Sequence, residues 1–580
     1  MTVRPPGPDQ RAGSRVRATG AGLLTVLAVL LVELVLVAPN RPSQLTPAAF
    51  VRLPVEGLCL LAALLVLRGR PRQLVVVLAG VVLGVLLVLK LLDLGFVAAL
   101  GRPFDPVVDR GYLDSAASLL GDSIGRRPAM LVLIAAGFLM AAVLVAMPLA
   151  VLRLARLVDR HRGGATRVIP VLGLVWLNCA VLGVQLVDGE PIASTDATGL
   201  VWHRAERAHA ELGTERQFAR AVAVDPLHDT PADQLLTGLR GKDVLIAFVE
   251  SYGRVAVQGS SFAPGVDAVL DAGTERLAAA GFCSASAFLT SPTFGGISWL
   301  AHATLQSGMW IDNQLRYDRL MDSKRSTLSV AFRRAGWRTV SDVPSDEQAW
   351  PEASSFYHYD QSYDARNVGY AGPKFGYATM PDQYTLAALR RSELAPRDRL
   401  PVMAEIDLVS SHTPWAPLPR LVDWSAIGDG SVFAPMPAAG ASATRVWRDP
   451  NRVRAAYGQS IEYSLNSLIS FVQTYPDDNL VLIVLGDHQP ATIVSGTNPG
   501  RDVPISIIAH DPAVLSRISG WGWQRGLRPG PDAPVWPMDA FRDRFLTAYG
   551  PRGAVAASGS SQDGGSSPDP APAAGRACHR

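Results

Sequence analysis

Five apolar stretches crowd the first third of this chain, and nothing comparable follows them. They are Ala21–Pro39, Ala49–Leu67, Leu74–Leu100, Ala129–Leu152 and Val168–Val187. A membrane crossing needs about 20 mostly apolar residues, and each stretch meets that need. Such a chain cannot fold as one water-soluble body. The first stretch has the apolar character of a signal peptide, but it lacks a clear small-residue cleavage site and is followed by four more, so it reads as a membrane helix. The sequence therefore predicts an N-terminal five-helix transmembrane bundle.

Arginine placement orients the bundle. Arg4, Arg11, Arg15 and Arg17 precede the first span, Arg68, Arg70 and Arg72 lie between the second and third, and Arg153, Arg156, Arg160, Arg162 and Arg167 lie between the fourth and fifth. The loop 101–127 instead mixes arginines with Asp105, Asp109, Asp114 and Asp122. The positive-inside rule puts the N-terminus and both arginine-rich loops in the cytoplasm. Five crossings then carry everything after residue 188 outside the cell. Lys90 and Asp93, at i and i+3 inside the third span, would satisfy each other as a pair or face a bundle interior.

The expected organisation is a cytoplasmic tail over 1–18, the spans over 19–188, a juxtamembrane connector with a helix over 189–240, an α/β domain over 241–550, and a tail over 551–580 rich in Gly, Ser, Pro and Ala. Within 241–550, strand-like runs at Asp243–Val249, Ser286–Thr290, Thr339–Ser341, Val402–Val409, Leu480–Leu485 and Ile505–Ala509 alternate with helical ones. That alternation predicts a mostly parallel sheet with helices on both faces. The net charge of +3 and the lack of a basic stripe with interleaved aromatics exclude a nucleic-acid partner. There is no CxxC or Cys/His cluster for a thiolate metal site, and Cys283 has no nearby partner, so the fold is not expected to rest on disulfides.

Chemistry gathers where the strands end. The run to Val249 delivers Glu250 in FVESYG, the run to Leu485 delivers Gly486-Asp487-His488, and the run to Val409 delivers Ser410-Ser411-His412-Thr413-Pro414-Trp415. A fourth segment, Ser291–Gly308, passes through Gly295 and Gly296 to Ser298 at a helix start, where orphan N–H groups favour negative charge. Each piece alone has a plain reading: a capping carboxylate, a turn, a satisfied loop histidine, an N-cap serine. Together Glu250, Asp487 and His488 form an O,O,N set suited to one divalent cation, Mn²⁺ first, with Zn²⁺ or Mg²⁺ as alternatives. Ser298 would complete the metal set, and its hydroxyl, acidified there, becomes a nucleophile for phosphorus. His412 could hydrogen-bond the attacked group or protonate the leaving oxygen.

In this order, ESYG, SSHTPW and GDH after apolar strands resemble the sulfatase-like branch of the alkaline phosphatase superfamily. Five spans before such a domain resemble, more narrowly, lipoteichoic acid synthase and its relatives. The resemblance implies an alkaline phosphatase/sulfatase-like fold, with the metal-binding acid at Glu250, the later pair at Asp487 and His488, and a substrate-binding histidine at His412. It puts the nucleophile at Ser298 by the spacing S-x₆-L-x-S-G, with Thr293 as the alternative because such synthases use a threonine. Leu300, Ala301 and His302 stand where sulfatases carry Pro-Ser and Arg, so the signal for formylglycine is missing. His302 and Trp299 become candidate substrate contacts. The implied activity is transfer of a phosphoglycerol- or phosphoethanolamine-like head group from a membrane lipid donor to an envelope glycolipid or polymer. The alternatives are a phosphodiesterase or sulfatase-like hydrolase with the same site, and an inactive envelope-binding module.

Overall fold

The computed structural model describes residues 8–106, 109, 126–187, 189–496 and 499–551. Residues 1–7 of the expected N-terminal tail, most of the loop 101–127 and residues 552–580 of the expected C-terminal tail lie outside them. The chain divides into two compact units. The first comprises Met1–Ala98, Arg102–Asp105 and Arg127–Thr214, and the second is built chiefly from Glu215 onward. The division falls inside the expected 189–240 connector.

Among the described residues, four helices of the first unit are long and apolar enough to cross a membrane: α1 (Pro8–Val37), apolar from Thr19; α3 (Arg70–Leu100); α4 (Arg126–Arg160); and α5 (Arg162–Leu182). The second expected span differs. Over Ala49–Leu67 the chain makes a 3₁₀ turn, a two-residue strand at Leu53–Pro54, and then only a 12-residue apolar helix, α2 (Val55–Val66). Hydropathy saw one segment, but Pro54 has no N–H for a helix interior and divides it. At 1.5 Å per residue α2 is about 18 Å long, short of the ~30 Å hydrocarbon core.

Hydrogen bonds nevertheless show that α2 joins the bundle's two ends. At one end Leu53 pairs with Ala193, the Thr198 N–H donates to Glu56 Oε1 at 2.8 Å, and Arg52 binds Asp196 at 2.6 Å. At the other, Arg72 donates to Leu64 O at 3.1 Å and to Asp159 Oδ2 at 2.6 Å, while Arg162 donates to Leu65 O at 2.5 Å. The two arginine-rich loops thus share one end, and the chain leaves from the opposite end. Lys90 and Asp93 do not bond each other. Lys90 Nζ donates to Val35 O at 2.7 Å and to Ala38 O at 2.6 Å, at the carboxyl end of α1, where a cation meets the helix dipole. Asp93 takes Asn40 Nδ2 at 2.9 Å and Arg204 Nη2 at 2.6 Å. Arg204 lies on α6 (Asp196–Val222), the connector helix, which belongs to the first unit as far as Thr214.

The second unit is a nine-stranded sheet. Its strands are β1 (Asp243–Val249), β2 (Cys283–Thr290), β3 (Arg338–Val343), β4 (Gln361–Asp364), β5 (Val402–Leu408), β6 (Leu480–Gly486), β7 (Asp502–Ala509), β8 (Gln524–Arg525) and β9 (Val535–Pro537). They lie in the order β8-β2-β7-β6-β1-β5-β3-β4, with β9 beside β2. The block β6-β1-β5-β3-β4 is parallel, and β7 is antiparallel to both β6 and β2. The carboxyl ends of β1, β5, β6 and β2 therefore open on one rim. The central strands are apolar throughout because both faces are covered. Val244, Ile246 and Phe248 face one core with Val481, Ile483 and Leu485, while Leu245, Ala247 and Val249 face the other. The helix α7 (Ala263–Ala279) and the long helix α9 (Pro450–Thr474) pack on that second face. Cys283 is disulfide-bonded, against the sequence expectation, whereas Cys59 and Cys179 are free.

Candidate active site

Strand periodicity aims the ligands. Side chains alternate across a strand with period 2, so Glu250 continues the face of Ile246 and Phe248, and Asp487 that of Ile483 and Leu485. The helix α8 (Ser298–Ser307) covers the same face, burying Leu300, Ala301, Ala303 and Leu305 against that core. Its first residue is Ser298. The chain reaches it through three consecutive left-handed or glycine-only conformations: Gly295 at φ 73°, Gly296 at φ 152° and Ile297 at φ 67°. The turn is tied to the Asp487 loop by the Gly295 N–H on Gln489 O at 2.8 Å, and by Ser291 Oγ on Asp487 O at 2.5 Å. Gly486 is required where these loops interlock, since a Cβ there would stand 1.9 Å from Tyr252 O.

Four donors converge. Ser298 Oγ donates to Glu250 Oε2 at 3.0 Å and lies 3.3 Å from His488 Nε2. His488 Nε2 lies 3.2 Å from Glu250 Oε1 and 3.4 Å from Asp487 Oδ2. Donors held about 2.0–2.2 Å from one cation stand roughly 3.0–3.5 Å apart, so these spacings are those of a coordination polyhedron's edges. Asp487 tests the fit. Its Oδ1 accepts the N–H groups of Ser251 and His488, each at 2.7 Å, whereas Oδ2 is buried with no hydrogen-bond partner. A buried orphan carboxylate oxygen is costly unless a cation or proton meets it. His488 Nδ1 lies 2.9 Å from Gln489 O, and donation there leaves the Nε2 lone pair for the donor set. The residues fit one divalent cation.

The titration behaviour agrees. Burial opposes charge on Glu250, yet the His488 hydrogen bond and the positive charges of His412 and His488 hold its carboxyl below the usual range. Burial, then the charge of Glu250, pushes Asp487 up. Burial opposes the charged form of His488 as well, but Asp487 and Glu250 raise it to about 9. A cation would take the place of the proton that this crowd of carboxylates retains.

His412 follows β5. Its loop is anchored by Ser411 Oγ on Glu250 O at 2.7 Å, and its ring stacks on Tyr377 with centroids 3.6 Å apart. The Ser411 bond to the backbone of Glu250 brings the His412 loop to the same rim. Thr293 is buried with no hydrogen-bond partner for Oγ1. Trp299 packs against the apolar core and donates to Gln314 Oε1 at 3.1 Å. His302 is turned toward the sheet. Its ring stacks on Phe248 at 3.7 Å, and Nδ1 lies 2.9 Å from Glu405 Oε1 and 3.4 Å from Asp407 Oδ1. Sequence reasoning missed Glu405 and Asp407. The signal was present in VMAEIDLV: two acids two residues apart in an apolar strand, hence on one face.

No protein-family model matches the chain, and no curated protein matches it. Solved structures do. The chain is similar to the lipoteichoic acid synthase LtaP of Listeria monocytogenes, with 14% identity, a TM-score of 0.34, and coverage of 58% of this chain and 78% of that one. A protein in the alkaline phosphatase superfamily from Vibrio parahaemolyticus gives 14%, 0.36, 58% and 74% on the same measures. The Streptococcus pyogenes phosphoglycerol transferase GacH, solved with sn-glycerol-1-phosphate, gives 11%, 0.34, 58% and 90%. At these values the likenesses decide neither activity nor substrate, which must be argued from the residues themselves.

Proposed function

We propose that this chain is a membrane-anchored, metal-dependent phosphotransferase of the sulfatase-like, alkaline phosphatase kind. It moves a phosphoryl-linked head group, phosphoglycerol- or phosphoethanolamine-like, from a lipid donor to an envelope glycolipid or polymer. The N-terminus is cytoplasmic and the domain beyond residue 241 extracytoplasmic. The observation that carries the reading is the 3.0–3.4 Å spacing of Ser298, Glu250, Asp487 and His488 around the orphaned Asp487 Oδ2. A binding module has no need of a hydroxyl held among such donors at a helix start.

Glu250, Asp487, His488 and Ser298 would hold the cation, Mn²⁺ by preference. When bound it lowers the pKa of a hydroxyl and counters charge on phosphoryl oxygens. Ser298 Oγ bonds to phosphorus while the bond from phosphorus to the lipid oxygen breaks, and its proton leaves along the hydrogen bond to Glu250. The lipid oxygen takes a proton from His412. An acceptor hydroxyl then attacks the phospho-serine and gives its proton to His412 as the bond from phosphorus to Ser298 Oγ breaks, and Oγ takes back the proton it had passed to Glu250. The N–H groups of the first turn of α8 face the developing charge. The apolar helices tether the chain to a bilayer, where the donor lipid resides.

Intact-mass analysis of the full chain after exposure to lipid donors tests this. The proposal expects an adduct of head-group mass in wild type and in Thr293→Ala, and none in Ser298→Ala. An adduct that persists in Ser298→Ala would overturn the assignment.

A further inference from the structure

The same rim carries a second set of donors that the proposed chemistry does not use. His302 Nδ1, Glu405 Oε1 and an Asp407 carboxylate oxygen all lie within 4.8 Å of one another. They repeat the pattern of the first set. In Asp487 one carboxylate oxygen takes two donors and the other faces its neighbours without one. In Glu405 the Oε2 atom takes the Tyr359 hydroxyl at 2.9 Å and the Gln306 amide, which leaves Oε1 facing His302 and Asp407. Asp407 Oδ1 is buried and has no hydrogen-bond partner. Ligand carboxylates held by outer hydrogen bonds, and an imidazole locked by packing on Phe248, are what a metal site requires of its surroundings.

Charge balance points the same way. Across the strand pair, Asp342 sits beside Ile406. It is 1% exposed, neither carboxylate oxygen has a partner, and the charge of Asp407 acts on it. No ion pair of a Lys or Arg with Asp342, Glu405 or Asp407 is seen among the described residues, and the His302 imidazole faces the last two. Burial keeps Asp342 protonated and uncharged, so Glu405 and Asp407 set two carboxyls against one imidazole, and a cation there would complete the balance.

We propose that His302, Glu405 and Asp407 bind a second divalent cation through Nδ1, Oε1 and Oδ1, distinct from the one at Glu250, Asp487 and His488. One nitrogen and two carboxylate oxygens suit Zn²⁺ or Mn²⁺. The assignment stands on these donors alone and does not depend on the activity proposed above.

The test is metal stoichiometry. The full chain in detergent is stripped with a chelator, dialysed against Mn²⁺ or Zn²⁺, and its bound ions are counted by mass spectrometry. Wild type is expected to hold two ions per chain. Asp407→Asn and Glu405→Gln are each expected to hold one, Glu250→Gln one, and the Glu250→Gln/Asp407→Asn double variant none, with thermal unfolding confirming that each variant is folded. A wild-type count of one overturns the proposal whatever the variants do. So does a folded Asp407→Asn chain that retains two.

Discussion

The two donor sets at this rim share a face of the sheet, a histidine and paired carboxylates, yet they differ in what each leaves free. The first includes a hydroxyl, Ser298, at the N-terminus of α8. The second includes no hydroxyl, and one of its carboxylate oxygens, Glu405 Oε2, is already taken by Tyr359 and Gln306. The first can form and break a bond at its own atoms, whereas the second can only hold charge or orient a neighbour. Cationic and anionic groups at equal density therefore do not mark the reacting centre. What marks it is a nucleophile placed among donors whose remaining lone pairs are free.

This contrast predicts unequal effects of matched substitutions. Ser298→Ala should lower turnover by about 10³-fold or more and abolish the covalent adduct, since Ser298 Oγ is the hydroxyl that touches both Glu250 and His488. Thr293→Ala should stay within about tenfold of wild type in the same steady-state assay. Next, Glu250→Gln should reduce kcat by roughly 10²–10³-fold, whereas Asp407→Asn should cost about 10-fold, the loss of a supporting charge. Equal losses would erase the distinction between the sets.

A smaller effect concerns pH. In the chelated chain Asp407 sits at about 7, raised by burial before the charges of Glu405, Asp346 and Glu250. His302 sits at about 9 although burial opposes its charge, because Asp407 and Glu405 raise it. Both groups bind more protons folded than unfolded, so each stabilises most below its unfolded pKa and loses that contribution as pH rises. Stability of the metal-free chain should fall between about pH 4 and 7 through Asp407, and between about 6.5 and 9 through His302. Denaturant titration at stepped pH measures this, and His302→Gln should flatten the upper limb. The smallest effect is Tyr359→Phe, which removes one hydrogen bond to Glu405 and should cost about 1 kcal/mol in the same assay.

Much of the domain was legible because buried parallel strands are continuous apolar runs, and their ends expose whatever polar residue comes next. Glu250, Asp487 and His412 were readable on that basis, and period 2 accounts for why Glu250 and Asp487 share a face. Glu405 and Asp407 were not readable by the same rule, because they sit inside β5 rather than beyond its end. Trp299 follows Ser298 in sequence, but α8 turns it about 100° away and packs it against the core, which adjacency in sequence does not reveal. In the helical unit, hydropathy found the apolar mass of Ala49–Leu67 but could not show that Pro54 splits it. Lys90 and Asp93 have the spacing of a pair, yet each is satisfied by groups far along the chain, which no local pattern reveals.

The central claim is that Glu250, Ser298, Asp487 and His488 share one cation. Anomalous diffraction from the Mn²⁺-loaded chain tests it most directly. The account predicts a peak about 2.0–2.3 Å from Glu250, Ser298 Oγ, Asp487 Oδ2 and His488 Nε2 together. Full Mn²⁺ loading with no peak among those four atoms would contradict it.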